Sequence, residues 1–103
     1  MSRNELQGLL NQVNNVALSN TDGIKEYISL VKLCADKLST MQQEDKNPVL
    51  DVWLRMGIEE IQKDITGRLG SNFDNLSPER QRTELMYSKS TIAMSLTNIM
   101  MHL

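Results

Sequence analysis

Apolar residues recur along the chain at spacings of three and four with polar residues between them, a period that predicts helices throughout. Leu6, Leu9, Leu10, Val13, Val16 and Ala17 form the first stripe. Ser2 and Glu5 stand at the spacing of a capping box ahead of it. Gln7, Asn11, Gln12, Asn14 and Asn15 fall on the opposite face. After the turn cluster Ser19-Asn20-Thr21-Asp22-Gly23, a second stripe runs through Ile24, Tyr27, Ile28, Val31, Cys34, Ala35, Leu38 and Met41. Leu30 and Leu33 widen it, so this helix is expected to touch two neighbours.

The third segment has the clearest start signal. Asn47 suits the N-cap, Pro48 the first helical position and Gly70 the left-handed position after the last turn. Val49, Leu50, Val52, Trp53, Leu54, Met56 and Ile58 predict burial nearly all round its first half. Ile61, Ile65 and Leu69 continue as a narrow seam beside the acid-first pairs Glu59/Lys63 and Asp64/Arg68, so the second half reads as solvated. Gly57, one turn past Trp53, predicts close approach of a neighbour. Gly67 fits a helix that finishes at Thr66 equally well.

Phe73 and Leu76 lie in a loop from which they can fold back on the core, and Ser77-Pro78-Glu79 starts the last helix. Its core stripe is Leu85, Ile92, Leu96, Ile99 and Leu103, with Ala93 and Met100 beside it. Tyr87, Met94 and Met101 recur every seven residues on another side. The pattern therefore predicts an all-α domain spanning 1–103, with helices over 3–19, 22–42, 48–69 and 78–102. These would form a four-helix bundle, or paired helical hairpins completed by oligomerisation.

Composition narrows the function classes. The chain has 103 residues, 40% apolar and 23% charged, with a net charge of −2. That suits one folded domain and implies neither nucleic acid nor an anionic membrane as partner. Arg80 and Arg82 are the only close arginine pair, and Glu79 and Glu84 flank them, so nucleic-acid binding is not expected. No run of about 18 apolar residues is present to span a membrane. The lone cysteine, Cys34, has no disulfide partner within the chain, and no secretory signal is visible in MSRNELQGLL. Cytoplasmic residence is the expectation, with export that leaves no cleaved signal as the alternative.

No catalytic or metal-binding motif emerges, and no cofactor is expected. His102 lacks a second histidine or cysteine with which to form a zinc site or dyad, and it reads as a terminal surface residue. Cys34 reads as a buried, inert thiol. The carboxylates Asp51, Glu59 and Glu60 have nothing polar converging on them. Gly67-Arg68-Leu69-Gly70 lacks the remaining residues of a phosphate loop. The run Trp53-Leu54-Arg55-Met56-Gly57 departs from the Trp-x-Gly turn of small secreted hairpin proteins. In outline, the proline-started, uncharged last helix is similar to small subunits and chaperones of bacterial export machines, but no motif carries the likeness.

The last helix holds the functional expectation, because it carries no formal charge after Lys89 whereas a surface helix of a monomer normally keeps a charged face. Tyr87, Met94, Ile99, Met100 and Met101 are the candidate interface, the competing reading being a helix covered within its own chain. Trp53, Ile28, Ile61 and Leu96 are the expected core anchors. The function expected is that of a non-enzymatic helical interaction module, an adaptor, chaperone, inhibitor or structural subunit, that self-associates and binds a protein partner. The alternative is an oligomer that holds a small molecule or nucleotide at its subunit interface, with Lys25, Tyr27, Arg80 and Arg82 as contacts.

Overall fold

A computed structural model describes residues 3–103. It contains α1 (Arg3–Asn15), α2 (Thr21–Glu44), α3 (Pro48–Thr66), a short 3-10 turn (Phe73–Asn75) and α4 (Pro78–Met101), and no strand among the described residues. The fold is all-α, as the period predicts. The capping box expected at Ser2 lies outside the described residues.

The helix starts follow the local chemistry of their caps. Asn20 Oδ1 accepts from the Gly23 amide at 2.7 Å, Asn47 Oδ1 from the Val49 and Leu50 amides, and Ser77 Oγ from the Arg80 amide. Each side chain satisfies donors that have no partner inside the helix. The first helix stops at Asn15, short of the expected residue 19, because the chain leaves it to set the Ala17 carbonyl against the first turn of α2. A Cβ on residue 23 would collide with that carbonyl, so Gly23 is what permits the tight corner.

The third helix ends at Thr66, with the Gly67 amide donating to the Lys63 carbonyl at 2.8 Å. Gly70 does not occupy the expected left-handed position, since no glycine of the described chain has a positive φ. Instead the Leu69 amide bonds the Asp64 carbonyl and the Gly70 amide bonds the Gly67 carbonyl, so successive tight turns close the end.

The helices pack in a ring, α2 on α3, α3 on α4 and α4 back on α1, with α1 and α2 touching least. Consecutive helices run antiparallel. Gln42 near the end of α2 donates to Asp51 near the start of α3, Arg68 just past α3 reaches Glu84 in the second turn of α4, and Lys89 donates to the Asn14 carbonyl at the end of α1. The result is a four-helix bundle 43 Å long and 22 × 17 Å across. Leu6, Val13, Val31, Leu38, Leu54, Ile61, Leu85, Ile92, Leu96 and Ile99 fill its interior, and Phe73 closes one end.

One expectation about α3 is corrected and a second holds at all but one residue. Its first half is buried on one side only: Val49, Val52 and Met56 are 51–60% exposed, while Leu50, Leu54 and Ile58 turn inward. A helix at the edge of a four-membered ring has only two neighbours, so one flank stays open. Its second half is solvated as expected at Glu59, Glu60, Gln62 and Lys63, but Asp64 is enclosed with Arg68 Nη1 2.7 Å from its Oδ1.

Candidate interaction surface

The side chains of α4 divide sharply. Leu85, Ser88, Ile92, Leu96 and Ile99 point inward and are fully buried, and Met100 is nearly so. Ile99 and Met100, expected at an interface, therefore belong to the core of their own chain, because they continue the stripe of Leu85, Ile92 and Leu96. Tyr87, Met94 and Met101 are 58%, 66% and 70% exposed, and Met86 stands beside them. Neither competing reading of α4 is complete: one stripe is covered within the chain and the opposite one faces outward.

Between the large outer residues lie Thr83, Ser90 and Thr97, all exposed. Thr83 Oγ1 donates to the Glu79 carbonyl at 3.1 Å and Thr97 Oγ1 to the Ala93 carbonyl at 2.8 Å. These hydroxyls are satisfied by their own helix, so covering the two threonines would strand no donor. Lys89, the last charged residue of the chain, is drawn off this face by its bond to the Asn14 carbonyl. What remains is a ridge of tyrosine, methionine and hydroxyl residues with no charge of its own, against which the Arg68 guanidinium lies at the Tyr87 ring.

Beside the ridge runs a groove of about 360 Å³ between α3 and α4, lined by Trp53, Met56, Gly57 and Glu60 on one side and by residues that include Met94 and Ser95 on the other. Gly57 sets the helix separation here: a Cβ on it would sit 3.0 Å from Ile99 Cδ1 and 3.7 Å from Ser95 Cβ. The close approach expected at Gly57 is real, and its partner is α4. At one end of the groove the Trp53 indole stacks on His102, with ring centroids 4.3 Å apart and planes inclined by 23°. His102, held by an Asn98 carbonyl 2.8 Å from its Nδ1, is thus half-buried against Trp53 rather than a free surface residue. Of the expected anchors, Ile61 and Leu96 are enclosed, while Trp53 and Ile28 are half-buried at the rim of the core.

The expected ligand contacts form no common site. Tyr27 is fully buried, with its Oη 2.7 Å from Ser88 Oγ. Burial, above all, pushes its phenol to a higher pKa, the nearby Asp64 charge adds to this, and the Ser88 hydrogen bond opposes it. Lys25 and Arg82 are exposed, and Arg80 pairs with Glu84 at 3.4 Å. Tyr27 cannot touch a ligand at the surface, because its hydroxyl is committed to α4. Cys34 is enclosed, and burial pushes its thiol up to about 11, so it is no nucleophile.

A buried polar cluster escaped sequence reasoning. Asp64, Tyr27 and Ser88 sit in the core, Arg68 bonds Asp64 at 2.7 Å and reaches Glu84 at 3.7 Å, and the Arg68 guanidinium lies 5.7 Å from the centre of the Tyr87 ring. Asp64 holds the Arg68 guanidinium more firmly protonated than usual. The signal was present: Asp64 follows Leu54, Gly57 and Ile61 at helical spacing, and Ser88 falls between Leu85 and Ile92. Both are polar members of apolar stripes.

Among the described residues no helix is long and apolar enough to cross a membrane, and no group of three or more potential metal ligands converges. No family model, curated protein or solved structure matches the chain. Fold and surface together define an all-α four-helix protein with an outward apolar ridge.

Proposed function

We propose that the protein is a non-enzymatic interaction module of a reducing compartment such as the cytoplasm, and that it self-associates and binds a protein partner through the outer face of α4. One observation carries this reading: the ridge of Tyr87, Met94 and Met101 is 58–70% exposed, and Met94 faces the exposed Met56 of α3 across the groove. Exposed apolar surface of this kind, with Glu60 and Arg68 only at its margins, marks an association site. Methionine suits the role because its unbranched, polarisable chain adapts to a partner's contour. The groove at Gly57 offers such a partner an anchoring pocket.

The test replaces Met94 and Met101 by glutamate together and measures molecular mass by light scattering on size exclusion, with circular dichroism alongside. Both residues point outward, so helicity should be retained while association is lost. A wild-type chain that is strictly monomeric at tens of micromolar overturns the self-association.

A further inference from the structure

On the reading that α4 associates, we infer that its occupant is a second copy of the same helix, packed antiparallel about a two-fold axis opposite residue 92. The outward residues Thr83, Tyr87, Ser90, Met94, Thr97 and Met101 alternate by four and three, the spacing of the seam positions of a coiled coil. Large side chains hold one seam position and hydroxyl residues the other. Such a seam lies opposite the buried stripe of Leu85, Ile92 and Leu96, so both can be covered at once.

Volume decides the direction. In an antiparallel pair each seam position faces the other kind, and the register about residue 92 sets Ser90 against Met94, Tyr87 against Thr97 and Thr83 against Met101. Together with their symmetry mates these make six layers, each with one large and one small residue, and no seam residue is left over. A parallel pair would stack tyrosine on tyrosine and methionine on methionine, then serine on serine and threonine on threonine. Alternate layers would be overfilled and hollow, and both defects destabilise.

Charge does not oppose this direction. Every charged residue of α4 lies between Glu79 and Lys89, and the turns from Ser90 onward have none. The antiparallel arrangement lays each charged end along the partner's uncharged end. The contact is isologous and closes on itself, so the assembly stops at two chains.

The experiment is disulfide trapping between two differently tagged full-length copies, one carrying Tyr87→Cys and the other Thr97→Cys, with mass by sedimentation equilibrium for each variant and for the wild type. Cys34 is enclosed and does not compete. Mixed 87–97 disulfides, with loss of the 87–87 and 97–97 species, are the expected result. Self-linked species in place of mixed ones, or a dimer that links at neither position, overturn the register but leave the association through α4 standing. A monomeric wild type overturns both.

Discussion

Tyr27 Oη and Ser88 Oγ lie 2.7 Å apart in the core and form a buried hydrogen bond between the first turns of α2 and the middle of α4. Neither hydroxyl has water to fall back on. Tyr27→Phe strands the Ser88 hydroxyl and Ser88→Ala strands the phenol, and each should cost about 1–3 kcal/mol. The double variant should lose clearly less than the two single losses added together, since it leaves no stranded group. Urea denaturation of the three variants and the wild type closes this cycle.

Asp64 is fully enclosed as a side chain, and its Oδ2 has no hydrogen-bond partner, so the carboxylate depends on Arg68. Removing the partner should be worse than removing the charge. Arg68→Ala is expected to destabilise by about 3 kcal/mol, because it leaves an uncompensated buried carboxylate, whereas Asp64→Leu should lie within about 1 kcal/mol of wild type. Equal losses by chemical denaturation at pH 7 would show that the ion pair is not the controlling interaction.

Gly57 admits Ile99 at a separation that leaves no room for a larger side chain. Gly57→Leu should push α4 outward and cost about 1–3 kcal/mol through overpacking. It should also fill the groove beside Trp53. Thermal melting reads the first effect, and a changed Trp53 emission maximum the second.

Cys34 should resist a thiol reagent in the native state and react only on unfolding, with a rate that follows the denaturation curve. Its raised pKa also sets a sign for alkaline stability. An unfolded thiol loses its proton near 9 and the folded one near 11, so the folded chain holds that proton more tightly. The resulting stability is present below pH 9 and is lost as pH rises from 9 to 11, a loss on the order of 3 kcal/mol for about two decades of proton affinity. Tyr27, also raised, acts in the same direction. Cys34→Ala should flatten the decline over that window.

Met56, Met86, Met94 and Met101 are 51–70% exposed, whereas Met41 and Met100 are at most 6% exposed. Dilute peroxide should therefore oxidise the first four ahead of the last two. Sulfoxide at Met94 and Met101 makes the ridge polar, so association should weaken while helicity persists. Peptide mass mapping with sedimentation separates the two effects.

The fold was largely legible along the chain because its signals are local. Asn47-Pro48 and Ser77-Pro78 mark helix starts through the backbone groups of their own first turns, and the caps observed there are those side chains. Part of the candidate site was legible too. Tyr87, Met94 and Met101 share a face by arithmetic alone, and that face is outward. The end of α3 at Thr66 was one of the two readings that Gly67 allowed, whereas the early end of α1 and the turn at Gly70 were not legible, since they depend on where the chain must go next.

By itself the sequence determined four helices, their stripes and the absence of charge from the end of the last one, because helical period and capping act within a few residues. Only the tertiary structure decided which side of each stripe is covered. It turned Ile99 and Met100 inward and left Met94 and Met101 out, opened one flank of α3 at Val52 and Met56, brought Tyr27 to Ser88, and gave His102 a place against Trp53. These outcomes join residues far apart in the chain, and the separation of α3 and α4 that Gly57 permits is a property of two helices together.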